Sequence, residues 1–287
     1  MLAIFKREIG SYLRTPIGYI FPSLFLILSG VLFSLSNLFG LSPRYAPFLT
    51  SILFLYVLVI PVLTMRLMTD ELRFKTDQLL LTTPVSITSI VLGKYFAAIS
   101  VLFVTIAITV IYPIVISFYG DIDGWESFGS YIGFLLLGCT FVSIGLFISA
   151  TTENQVVAAI VTFVALLISW IMDFLQRAIP SDPAISFMFV CVVVAAVVFW
   201  IYLSTRNLII PIAIGILGFG AAIVVFIANQ EAYLGFISKT LDWVSFVRRF
   251  ASFTRGLLVF DSIVYYLTVS ALFVFLTVRL IEKRRWS

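Results

Sequence analysis

FGSYIGFLLLGCTFVSIGLFISA, residues 128–150, runs without a single charged side chain. A helix of that length rises about 35 Å at about 1.5 Å per residue, enough to cross a hydrocarbon core of roughly 30 Å. In lipid every backbone N–H and C=O must be paired within the protein, which leaves helices and closed barrels. A barrel strand would alternate polar and apolar residues over about ten positions, and this run does not alternate. The stretch is therefore a spanning helix.

Working outward, the same pattern recurs. Ile17–Ser36, Phe48–Met65 and Ile90–Phe118 precede it, and Gln155–Leu175, Ala184–Ser204, Leu208–Ala228 and Ser262–Val278 follow it. Their few charges, Lys94 and Asp173 among them, lie near the ends. The chain reads as an all-α, polytopic membrane protein of about eight transmembrane helices, forming a single transmembrane domain over residues 1–287.

Composition agrees. Of 287 residues 62% are hydrophobic and 11% charged, and the mean hydropathy is +1.16. A soluble domain carries about 25% charged residues and still exposes roughly a quarter of its unfolded-chain surface, so a soluble enzyme is excluded. The net charge of +4 fits the basic flanks of membrane spans rather than a nucleic-acid partner. With no histidine, His-based metal sites and His-dependent nucleophiles are absent. Cys139 and Cys191 both sit in apolar runs, which does not support a disulfide framework.

Lys and Arg orient the chain. With the N-terminus inside, twelve of the 18 cations, from Lys6 to Arg285, fall on inner segments. Six, namely Arg44, Arg177, Lys239, Arg248, Arg249 and Arg255, fall outside. The positive-inside rule then puts both termini in the cytoplasm. Before the first span, Leu2, Phe5, Ile9, Tyr12 and Leu13 share one helical face, with Lys6, Arg7, Glu8 and Arg14 around the rest. Residues 1–15 thus read as an amphipathic helix on the inner leaflet, held by Lys6, Arg7 and Arg14.

Between the second and third spans lies TDELRFKTDQLLLTTPVSITSIVLGK, Thr69–Lys94. Thr69 is placed to cap a helix with Asp70 and Glu71 in its first turn. Leu72, Leu79 and Leu80 give it an apolar side, and Pro84 ends it by disfavouring helix at Thr83. Ser86 or Thr88 then caps the third span. The expectation is a short charged helix on the cytoplasmic face over about Asp70–Leu81, within a segment 69–84. A solvated connecting loop is the plainer alternative, but the returning leucines suit docking against another protein.

A second amphipathic segment, 231–256, precedes the last span. Leu234, Ile237, Leu241, Val244, Val247, Phe250 and Phe253 form its stripe. It reads as an external helix resting on the membrane. Asp173 and Asp261 lie near the outer interface, and Glu153 reads as a helix-end residue. Gly129 and Gly133, like Gly215, Gly218 and Gly220, mark faces open to close packing. Pro61, Pro113 and Pro211 are placed to kink their spans.

The stretches KREIGSYLRTPIGYIF (Lys6–Phe21), DELRFKTDQLLLTTPVSITSIVLGK and RGLLVFDSIVYYLTVSALFVFLTVRLIEKRRW (Arg255–Trp286) together resemble the type-2 ABC-transporter permeases, and within them the gliding-motility-associated branch. The resemblance covers the first 100 residues or so and the last 30. It implies that residues 1–15 form the elbow helix and that 69–84 holds the coupling helix contacting a separate ATP-binding subunit. Asp70, Glu71, Arg73, Lys75, Asp77, Thr82 and Pro84 are then the contact residues. It also implies a second permease chain, a bacterial inner-membrane location, and that the segment 231–256 is partly re-entrant and closes the outer end of a pathway as a gate with Trp243, Arg248, Phe250 and Phe253. Such permeases usually have six spans, so an extra pair is expected within Gln155–Ala228.

The residues support that division of labour independently. No G-x-x-x-x-G-K-[ST] stretch occurs, so this chain lacks a P-loop, and ATP and magnesium would be bound by the partner. The expected function is the permease of an ATP-driven transporter, an exporter and not itself an enzyme. The alternative is a mechanotransmission subunit acting on envelope partners without solute passage. A secondary transporter would need carboxylates at mid-depth, and none is evident.

Overall fold

In a computed structural model the described residues are 1–75, 86–178, 182–205, 209–237, 240 and 245–285. They are helical, with no strand among them. Eight helices among them are long and apolar enough to cross a membrane. Asp77, Thr82, Pro84 and Trp243 lie outside the described residues.

The chain divides into two compact units, Met1–Trp170 with Phe246–Ser287, and Ile171–Ser245. The first holds α1 (Leu2–Arg14), α2 (Pro16–Phe33), a π-helical turn (Ser34–Leu38), α3 (Ala46–Thr64), α4 (Thr69–Arg73), α5 (Ile87–Thr109), α6 (Ile111–Ser117), α7 (Gly124–Ser149), the start of α8 (Gln155–Ala178), α11 (Phe246–Phe253) and α12 (Phe260–Arg285). The second holds the end of α8, α9 (Pro183–Thr205), α10 (Ile209–Ala228) and a 3-10 turn, Gln230–Tyr233. α9 and α10 pack on each other, joined by Phe187, Phe226 and Tyr233.

In the first unit α7 is the axis, packed by α3, α5, α11 and α12. Its small residues let them approach, as expected where lipid supplies no hydrophobic drive between helices. Gly138 receives the Tyr56 ring and Leu102, and Gly145 receives Thr64. The Tyr56 hydroxyl donates to the Phe134 carbonyl at 3.0 Å, and its ring stacks on Phe134 at 4.3 Å.

Two helix boundaries follow from local chemistry. Asp123 caps α7, its carboxylate accepting from the N–H groups of Trp125 and Glu126, as N-cap residues do. α5 and α6 break at Val110. Pro113 has no N–H for the carbonyl four residues back, and that carbonyl, of Thr109, instead accepts from the Tyr131 hydroxyl at 2.9 Å.

Candidate functional site

The site begins with a bend. Pro16 holds Thr15 extended (φ −107°, ψ 145°) and starts α2, as proline does at a first helical position. Gly18 lies so close under the Tyr12 carbonyl that a Cβ there would collide with it. The fold-back lays α1 along the start of α5, where Ile4 sits over Gly93. Phe5 and Ile9 pack on the core. Tyr12 is buried and donates to the Leu63 carbonyl at 3.2 Å. Burial pushes the Tyr12 hydroxyl's pKa well above its usual range, with Glu8 adding to this and Arg66 opposing it. Leu2 and Leu13, expected on the same apolar face, are instead exposed, because the contact with α5 and α3 is narrower than the hydrophobic arc.

Beside Gly93, Lys94 points into the protein with its side chain 4% exposed. Its ammonium lies 3.0 Å from Glu71 Oε1 and 3.3 Å from Glu8 Oε1. The Arg7 guanidinium completes the group, 2.9 Å from Glu8 and 3.1 Å from Glu71. Two cations and two carboxylates thus alternate, and each buried charge has opposite neighbours. Removing one partner would strand the others, which is why such groups are costly to break.

A second knot lies alongside. Asp70 is bound by Arg66 at 2.8 Å and accepts from the Gln155 side chain at the start of α8. Nearby, Arg284 near the end of α12 reaches the Thr151 carbonyl at 3.5 Å. This end of the first unit therefore ties α4 to α1, α5 and α8.

These contacts correct several expectations for 69–84. Thr69 is not a cap: it is the first helical residue, and its hydroxyl donates back to the Met65 carbonyl. Of the helix expected over Asp70–Leu81, the described part runs Thr69–Arg73, and 76–81 lie outside the described residues. Phe74 closes it and Lys75 turns left-handed at φ 54°, a conformation that ends helices. Ser86, rather than Thr88, caps α5. Asp70 and Glu71, expected on the partner-facing side, are spent on internal pairs because Arg66 and Lys94 lie within reach. Arg7, assigned to the leaflet, is shared with Glu8 and Glu71. Among the described residues of this segment Arg73, Phe74 and Lys75 are exposed, with the Arg73 guanidinium 5.8 Å over the Phe74 ring. Lys6 and Arg14 are also exposed.

At the other end of α7, the expected external stripe over 231–256 is not one helix. The 3-10 turn belongs to the second unit and α11 to the first. Phe250 and Phe253 are buried, not loose at a mouth. Phe253 seats on Gly133, where a Cβ would come within 2.5 Å of its ring, and its carbonyl accepts from Ser130 at 3.3 Å. Gly256, at φ 70°, turns the chain against Gly129. Arg248 lies on α11, exposed. Arg249 pairs with Asp261 at 2.9 Å and lies 4.0 Å over the Tyr265 ring, which accounts for the Asp261 charge near the start of the last span.

Sequence reasoning missed Glu8, Arg66, Lys94 and Gln155 as members of the site. The signal was present for Lys94, a cation a full turn inside an apolar run. Among the described residues no group of acidic or cysteine side chains could hold a metal ion. The arrangement is mechanical in kind, a charged clamp joining four helices at one end of a helical bundle, with a short basic-aromatic tip outside it.

No curated protein matches the chain. The family model for the ABC-2 family transporter protein matches residues 8–181, from within α1, through the clamp, to the end of α8. With more than half its length matched, and with eight helices among its described residues long and apolar enough to cross a membrane, the chain belongs to the ABC-2 transporter family as a multi-pass permease.

Proposed function

We propose that this permease works with a separate ATP-binding subunit, which it meets through the tip Arg73–Phe74–Lys75 and the residues that follow up to Pro84. The observation that carries this reading is the clamp: Glu71 bound to Lys94 and Arg7, and Asp70 bound to Arg66 and Gln155. A push on the tip cannot move α4 alone. It is passed to the elbow α1, to the third span through α5, and to α8. That is what a force-transmitting contact requires, and an idle connecting loop would not need it.

On this reading ATP and magnesium are held by the partner, and its closure drives the second and third spans between two orientations. The termini and the clamp face the cytoplasm of a bacterial inner membrane, the permease pairs with a second chain, and transport runs outward. The apolar character of the spans favours a hydrophobic or amphipathic cargo. The terminal stretches that resemble the gliding-motility-associated branch include both the elbow and the tip.

The test is Arg73→Glu with Lys75→Glu, which reverses the outward charges and leaves the clamp whole. Co-purification with the ATP-binding subunit and the hydrolysis rate of the assembled complex should both fall, while the melting temperature of the isolated permease stays unchanged. Intact co-purification and hydrolysis would reject the assignment. The physical basis is that interface charges set docking orientation and partner choice more than raw affinity.

A further inference from the structure

A groove of about 650 Å³ runs between α5, α7 and α12. One wall is a row on α12, Leu267, Ala271, Phe275 and Arg279, spaced four residues apart. Phe96, Tyr95 and Cys139 lie opposite. The lining on α12 extends from Tyr266 to Glu282, about 24 Å of helix. That exceeds the roughly 15 Å of one leaflet's hydrocarbon. Leu267, Phe275 and Phe96 are substantially exposed, so the groove opens sideways, toward lipid.

Its depth is chemically closed. The Tyr95 hydroxyl donates to the Cys139 carbonyl at 3.2 Å, and the Thr140 and Ser270 hydroxyls pair at 3.2 Å. These inner hydroxyls are thus engaged within the protein, and the lining between them is mostly apolar. Its mouth is charged. Arg279 and Glu282 pair at 3.0 Å while half exposed, the kind of surface pair that contributes little and is readily exchanged. Lys283 is exposed and continues the row from Arg279 by one helical turn, and Arg284 is exposed beside it.

We propose that this groove is a binding site for one anionic phospholipid of the bilayer, its acyl chain against Leu267, Ala271 and Phe275 and its phosphate exchanging with Glu282 for Arg279 and Lys283. Charge complementarity selects this occupant. Basic side chains at the end of a spanning helix attract anionic headgroups, and the Tyr95, Thr140 and Ser270 hydroxyls at depth are already engaged within the protein. The inference rests on the fold and not on the coupling assignment.

Cys139 lines the groove and reports on it. The full-length chain carrying Cys191→Ser is reconstituted in nanodiscs of phosphatidylglycerol or of phosphatidylcholine, and its labelling by a membrane-soluble maleimide is timed. Labelling should be slower in phosphatidylglycerol, and native mass spectrometry should show one retained phosphatidylglycerol. Replacing each cation, Arg279→Gln and Lys283→Gln, should weaken that retention about fivefold, near the 1 kcal/mol expected per surface cation. Ala271→Trp, which fills the row, should abolish retention and slow labelling in both lipids. Equal labelling in the two lipids, or retention that survives loss of both cations, would overturn the proposal. So would an Ala271→Trp chain that keeps its lipid and instead changes oligomeric state, since the groove would then be a seat for a second copy. The two charge variants lie on the surface, so the result does not depend on Ala271→Trp folding.

Discussion

The Lys94 ammonium lies 3.0 Å from the Glu71 carboxylate, across a gap in sequence that spans the whole loop between the second and third spans. Lys94→Met keeps most of the side chain's length and removes its charge. Glu8 and Glu71 then face each other with only Arg7, itself 54% exposed. Unfolding in mixed micelles should show a loss of about 3 kcal/mol, the scale for breaking a buried ionic group from one side. Arg7→Met should cost clearly less, since its exposed end is already hydrated. Equal losses would mean that the buried lysine does not hold the clamp.

Glycines along the chain separate two roles. In α7, Gly133 supports Phe253, and a Cβ would stand 2.5 Å from that buried ring. Gly133→Ala should destabilise by about 1–3 kcal/mol, as overpacking does, and should expose α11 to protease. In α1, Gly10 has nothing within 4 Å of such a Cβ. Gly10→Ala should stabilise by up to about 1 kcal/mol through helix propensity. Thermal melts of the two variants should move in opposite directions.

The spans were legible because length and absence of charge suffice to name them. Gly129 and Gly133 were legible as a packing face, but the knob that fills it, Phe253, lies more than a hundred residues away, so the pairing was not. Lys94 was read only as a charge near the end of a span, although it lies a full turn inside the apolar run. Its partners could not be read, because Glu8 belongs to an amphipathic helix whose fold-back depends on the Pro16 and Gly18 bend. The charges of Asp70 and Glu71 invited an outward reading; their internal pairs depend on where the fold brings Arg66 and Gln155 to Asp70, and Arg7 and Lys94 to Glu71. The left-handed turn at Lys75 left no mark in composition, since that conformation is commonest in glycine. The extra pair of spans was counted correctly from hydropathy. That α9 and α10 form a separate unit depends on which faces they share.

Arg249 and Asp261 form an unequal pair. The Arg249 side chain is 12% exposed and the Asp261 side chain 78%. Asp261→Asn should therefore cost under about 1 kcal/mol, as exposed ion-pair partners do. Arg249 still lies over the Tyr265 ring at 4.0 Å. Arg249→Gln loses both the pair and the ring contact, the latter alone contributing about 1 kcal/mol or more where desolvated. The larger shift in melting temperature should follow Arg249→Gln.

The break between α5 and α6 offers a test with an internal rescue. Pro113 leaves the Thr109 carbonyl without its helical donor, and the Tyr131 hydroxyl supplies one at 2.9 Å while pairing with the Tyr45 hydroxyl at 2.6 Å. Tyr131→Phe strands that carbonyl among apolar side chains, at a cost of about 1–3 kcal/mol for an unsatisfied buried acceptor. In a Pro113→Ala background the new backbone N–H is in register to take the same carbonyl. Tyr131→Phe should then cost appreciably less, and the two substitutions should couple by about 1 kcal/mol, within the range for residues that share a partner. Strict additivity in the four-way comparison would show that the hydroxyl does not stand in for the missing amide, and that the break is held by packing alone.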